Sequence, residues 1–211
     1  MGLINNGKFV QGAAPSAGFK YPFPIDYAGK FDGTADLAQT ATTTTGWTFS
    51  AWVKRTSFGS AHQIIDTEVQ FNAGDTITAE ALTTTSVYRD PSHWYHVYVS
   101  DNGLYINGVL LGAVTTGTLT NPDLFDGFDG YAAEVIFVDG TTVAVTEFGS
   151  FVGNVWVPKN YTGAYGTNGY HLNFSNSGDL GEDSSGNGND WTATSVAQTT
   201  DTPTNNFPTL D

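Results

Sequence analysis

There is no cysteine in the 211 residues of this chain, which excludes a small module stapled by disulfides and leaves folding compatible with a reducing compartment. Basic residues are scarce as well: 7 Lys and Arg stand against 21 Asp and Glu, for a formal charge of −14. A binder of nucleic acid or of an anionic membrane needs a clustered basic face to displace counterions, so neither partner is expected. No apolar run approaches the length of a membrane span, and the opening MGLINNGKFVQGAAPS lacks the continuous apolar centre of a secretory signal. The sequence therefore predicts a chain made and folded in cytosol. Charged residues of both signs make up only 13%, so the surface must rely on Thr, Ser, Asn and Gly, as β-protein surfaces do. Apolar recurrence at helical spacing is missing too, and helix should be scarce.

What is present reads as strands. With 39% hydrophobic and 14% aromatic residues, the chain is globular and of a length that one β-sandwich fills. Residues 1–26 set Gly12, Gly18, Pro15, Pro22 and Pro24 among isolated apolar side chains and sustain neither period, which predicts an extended arm. The first 30 residues carry Lys8, Lys20 and Lys30 against Asp26, a local +2 that leaves −16 for the remainder. Beyond the arm, WTFSAWVKR (47–55) alternates Trp47, Phe49, Ala51 and Val53 with Thr48, Ser50, Trp52 and Lys54. That pattern predicts a half-buried strand with Trp52 on the outer or more open face. In WYHVYVSDNGLYINGVLLG (94–112), Asp101-Asn102-Gly103 and Asn107-Gly108 supply residues tolerant of positive φ, as tight hairpin turns require. A meander is predicted there, with strands at about 94–100, 104–106 and 109–112. Further strands are predicted at 63–66, 68–71, 76–82, 131–138 and 170–174, with TATTTTG (40–46) and GTLTNPD (117–123) as loops. Strands at this density fit an all-β, two-sheet antiparallel sandwich over 27–196, followed by an extended tail over 197–211.

The blocks KFDGTADL (30–37), WTFSAWVKR (47–55), WYHVYVSDNGLYING (94–108) and YAAEVIFVDG (131–140) resemble the laminin-G-like branch of the concanavalin A-like lectin/glucanase superfamily. The resemblance implies a jelly-roll β-sandwich. In many relatives a strand like YHLNF (170–174) and a loop like DSSGNGND (183–190) open the domain, whereas here they come last. Adjacent chain ends make such a permutation cheap, so 170–192 is expected to complete the sheet. The C-terminal half, from VWVPKNYTG to NDWT (155–192) and closed by DTPTNNFPTLD (201–211), resembles modules of tailed-phage structural proteins. That resemblance implies a non-enzymatic virion component assembled in the bacterial host cytoplasm. It would decorate or cement the capsid, or form the head of a short fibre, and bind other virion proteins and further copies of itself. The arm around Leu3, Ile4, Lys8 and Phe9 and the tail around Phe207 and Leu210 are the expected contacts with neighbouring subunits.

Two other readings follow from the same fold: a host-glycan-binding adhesin and a glycoside hydrolase. A retaining hydrolase wants two carboxyls about 5–5.5 Å apart. AEVIFVDG offers Glu134 and Asp139, whose odd separation sends them to opposite faces of a regular strand. His62, His93, His96 and His171 are scattered, and no Gly-x-Ser-x-Gly elbow exists, so no catalytic residue, metal ligand or cofactor is assigned. The loop DSSGNGND has oxygen ligands, but the bidentate Glu that an EF-hand needs at its twelfth position is missing, with Gly186 at the fourth position and Thr192 at the tenth. It is read as a turn built on Asx side chains and positive-φ glycines, with calcium as the competing reading. Trp52, Trp94, Tyr105, Trp156 and Tyr161 are the aromatics that could stack on a sugar or pack a subunit contact.

Overall fold

The computed structural model describes residues 20–39, 43–120 and 122–205, together with the backbone of two short paired strands, Ile4–Asn5 and Lys8–Phe9. The described chain is a jelly-roll β-sandwich, and its one helical segment is the 3-10 turn Val145–Glu147. The larger sheet has eight antiparallel strands. Seven of them run, edge to edge, Val109–Gly112, Gly103–Ile106, Tyr95–Ser100, Thr48–Arg55, Asp129–Val138, Ala28–Asp32 and Ala197–Thr199. The eighth, Tyr170–Leu172, pairs with the second half of Asp129–Val138, beyond the point where Ala28–Asp32 pairs with the first half. The late strand thus completes the sheet, as its displaced position in the sequence required. The facing sheet contains His62–Ile65, Val69–Phe71, Ile77–Ala79 and Leu82–Thr83, and Thr192–Thr194 pairs with Asp36–Ala38.

The period-2 pattern places the core. In Thr48–Arg55 the side chains of Phe49, Ala51 and Val53 meet Val97, Val99, Ile64, Phe71 and Ile77 between the sheets. Trp47 is fully buried there; its indole N–H donates to the Gly117 carbonyl at 3.1 Å and its ring stacks on Phe137. The turns behave as their residues dictate, with Asn107, Gly108 and Gly103 all at positive φ.

Four expectations are corrected. Thr48–Arg55 is buried along its whole length rather than on one face, and Trp52 is only 5% exposed. Its second face is roofed by the hairpin Gly149–Val152/Val155–Pro158 and by Ile25, so the molecule has a third layer that alternation alone does not announce. The Thr-rich stretches read as loops pair with each other, Thr43–Thr45 against Thr118–Thr120. Threonine is β-branched and suits a strand, and Leu119 anchors the ladder in the core. Residues 197–199, read as tail, form a strand of the larger sheet, and Thr202 and Thr204 hydrogen-bond to Ile25. The predicted boundary at 196 therefore cuts through the sandwich. Finally, the strand Asp129–Val138 carries a β-bulge at Glu134 (φ +48), which breaks the alternation on which the divergence of Glu134 and Asp139 rested.

One polar cluster is buried between the sheets. Arg55, wholly inaccessible, donates to Asp75 at 3.0 Å, to the Tyr88 carbonyl at 3.2 Å and to His62 at 3.3 Å. Arg89 reaches the other Asp75 oxygen at 2.6 Å. Burial alone would raise the Asp75 carboxyl, but the Gly59 N–H, Arg89 and Arg55 outweigh it and hold it at about 2.

Candidate aromatic binding cleft

The roofing hairpin makes a cleft. Its two-residue turn, Gly153-Asn154, has Gly153 at φ +61 and sets Phe151 opposite Trp156, with rings 5.0 Å apart in an edge arrangement. Trp156 turns inward and is 8% exposed, whereas Phe151 is 53% exposed. Two glycines admit the indole: a Cβ on Gly108 would lie 2.3 Å from the Trp156 ring, and one on Gly149 would lie 2.4 Å from it. Neither position tolerates a side chain without moving the ring.

His96 organises the floor. It is fully buried, with its ring 5.1 Å from that of Trp52 and 5.8 Å from that of Trp156. Trp156 Nε1–H, a donor only, donates to His96 Nδ1 at 3.0 Å. His96 therefore carries its proton on Nε2, which faces Ser50 Oγ at 2.8 Å. Burial pulls the His96 imidazole down to about 3, so it is neutral near neutral pH. Its backbone N–H donates to Asn107 Oδ1 at 2.7 Å and its carbonyl accepts from the Asn107 N–H at 2.9 Å. Trp52 and Trp156 thus pack on the His96 ring, while Asn107 is held by the backbone of residue 96. At the other end of the cleft Trp94 Nε1–H donates to Asp201 at 3.3 Å, and Asp201 also pairs with Lys54, whose ammonium lies against the rings of Trp94 and Tyr131.

The resulting cleft has a volume of ≈ 450 Å³, within the range of about 300–1,000 Å³ usual for small-ligand sites. Trp52, Trp94 and Trp156 form its floor, and Tyr21, Phe151, Val109 and Val155 its accessible walls. His93, Asn107 and Asn154 supply polar groups, and Pro158 and Pro203 complete the lining. Of the five aromatics picked out by sequence, three meet here. Tyr105 instead packs edge-on to Tyr98, and Tyr161 is buried against Phe148. Sequence reasoning missed Phe151, His93, Asn107, Asn154 and Tyr21. The segment FVGNVW carried the signal, because a Gly-Asn turn between alternating apolar residues is a hairpin signature that fixes Phe151 across from Trp156.

The predicted subunit contacts fall near the two ends of the chain. Leu3, Phe207 and Leu210 lie outside the described residues, as do the side chains of Ile4, Lys8 and Phe9. The two candidate acids are each engaged separately. Glu134 is 2.8 Å from His171 Nε2, and Asp139 accepts from Thr44 Oγ1 and from the backbone and side-chain amide of Asn168.

In the loop 183–190, Asp183 accepts from the N–H groups of His171, Ser185 and Asn189 and from the Ser185 hydroxyl, at 2.8–3.0 Å. Burial would raise this carboxyl, but those donors hold it below the usual range. Asn187 and Asn189 donate their amide N–H groups to carbonyls of Gly166, Thr167 and Gly169. Both Asp183 oxygens and Asp190 Oδ1 are thus occupied by donors, and among the described residues no group of three His, Asp or Glu is arranged to hold a metal. Gly186 and Gly188 sit at φ +90 and +75 with open space around them. Valine at either should cost about 1–3 kcal/mol through backbone strain alone, and chelator should leave the melting temperature unchanged. An EDTA-sensitive melt would show instead that an ion holds the loop.

No protein-family model matches the chain, and no curated protein matches it. A solved structure from Bacteroides ovatus ATCC 8483, described as a "putative carbohydrate binding protein", has the same fold with a TM-score of 0.62 at 16% identity. The match covers 85% of this chain, which spans 61% of that protein's length. At this identity the likeness establishes the β-sandwich.

Proposed function

We propose that this chain works by binding and not by turnover, taking a saccharide in its aromatic cleft as a subunit of a tailed-phage virion surface. The observation that carries the saccharide reading is the cleft itself: ring faces and edges set beside amides, on a floor held rigid by His96 and two obligate glycines. Sugars present apolar C–H faces and a girdle of hydroxyls, and a site of this make-up matches both. The Bacteroides structure shares the fold and is described as carbohydrate binding, which supports the same reading. Separate engagement of Glu134 and Asp139 supports a non-catalytic site. The virion setting draws on the resemblance of residues 155–211 to tailed-phage structural modules. The exposed Leu110 and Val152, which do not line the cleft, also fit a surface that meets a neighbouring subunit.

Two experiments separate the parts of this proposal. On a panel of immobilised glycans the protein should bind a subset, and Phe151→Ala should lose about tenfold or more in affinity while melting as the parent does. Equal binding by Phe151→Ala would remove the cleft from the account. Antibody labelling of intact particles should place the chain on the virion surface, and its absence from purified particles would remove the virion setting.

A further inference from the structure

We infer that the cleft selects uncharged saccharides and turns away acidic ones, an inference that rests on the saccharide reading of this site. The residues that line it present rings, aliphatic side chains and amides; among the described residues no Asp, Glu, Lys or Arg side chain lines it. The one buried cation beside it, Lys54, is 5% exposed, paired with Asp201 and covered by the rings of Trp94 and Tyr131. Lys20 is exposed next to Tyr21 but lies outside the lining. A carboxylate or sulfate entering the cleft while the His93 imidazole is uncharged would therefore lose water without gaining a cationic partner, which is costly. Neutral hydroxyls face no such penalty, because the amides of Asn107 and Asn154 can donate to and accept from them. The long-range field acts in the same direction: a chain of net charge −14 repels an approaching polyanion until salt screens it.

The test measures affinity at about pH 8, where an unperturbed imidazole is neutral. Neutral mannan, laminarin and cello-oligosaccharides are compared with polygalacturonate, alginate and heparin, each at low and high salt. We expect at least one neutral glycan to bind and every acidic one to bind at least about tenfold more weakly at low salt. The gap should narrow with salt but persist, because screening removes the field and not the missing partner. Asn154→Lys, which sets a cation at the cleft wall, should strengthen binding of the acidic glycans several-fold. Acidic glycans that bind the parent as tightly as neutral ones would overturn the selectivity and leave the saccharide reading standing. Unchanged acidic binding in Asn154→Lys would equally overturn the stated cause. Failure of folded protein to bind any member of the panel would overturn the saccharide reading on which the inference rests.

Discussion

Asp75→Asn is expected to destabilise the protein by about 3–5 kcal/mol, the usual cost of breaking a buried ion pair by removing one partner. Asparagine keeps the shape of the side chain and tolerates the positive φ of 60 at this position, so the loss isolates charge. Arg55 would remain wholly buried without a counter-charge, left with neutral acceptors: the amide oxygen of the substituted side chain, the Tyr88 carbonyl and His62. The exposed Arg89 can turn to water, but Arg55 cannot. The double variant Arg55→Met/Asp75→Asn removes the stranded cation and should recover much of the loss, so the two substitutions are strongly non-additive. Urea unfolding of the single and double variants measures both effects. A single-variant loss below about 1 kcal/mol would show that the cluster does not tie the sheets together.

This cluster also marks the limit of what could be read in the sequence. Strand periodicity and Asn-Gly turns placed the meander and most of the predicted strands to within a residue or two, because those signals are local. Arg55 closes WTFSAWVKR, and Asp75 lies twenty positions later, between the predicted strands 68–71 and 76–82; nothing local pairs them. The third layer was hidden for the same reason. Trp52 falls on the polar side of an alternating strand, and its cover comes from Trp156, more than a hundred residues on. The two Thr-rich segments failed differently: polarity suggested loops, while β-branching favoured the ladder they form. In the cleft, Trp94 and Trp156 were visible as aromatics. The obligate glycines and the His96 relay were not, because their roles exist only against a ring brought from elsewhere in the chain.

The second large effect is a pH dependence. His96 has its folded pKa lowered from 6.5 to about 3, so the unfolded chain binds more protons between those values and stability must fall as pH falls through that window. The slope is about 1.4 kcal/mol per pH unit for one proton, which amounts to roughly 3 kcal/mol between pH 6.5 and about 4. Asp75, lowered to about 2, adds its own loss only below the range of a free carboxylate, near 4. His62 is lowered too, by burial and then by Arg55, and steepens the parent slope without affecting a comparison at His96. In His96→Gln the slope over this window should shrink by about one proton. The variant should also change near-UV circular dichroism, because Trp156 loses the acceptor at His96 Nδ1. An unchanged slope would mean that His96 titrates normally and is accessible to water.

The saccharide reading of the cleft is tested most directly by an experimental structure of the protein with a neutral oligosaccharide that it binds. A sugar ring should lie between Phe151 and Tyr21 above the Trp156 edge, with hydroxyls within hydrogen-bond distance of the Asn107 or Asn154 amides. Sugar bound elsewhere, with Phe151, Trp156 and Asn154 untouched, would contradict it.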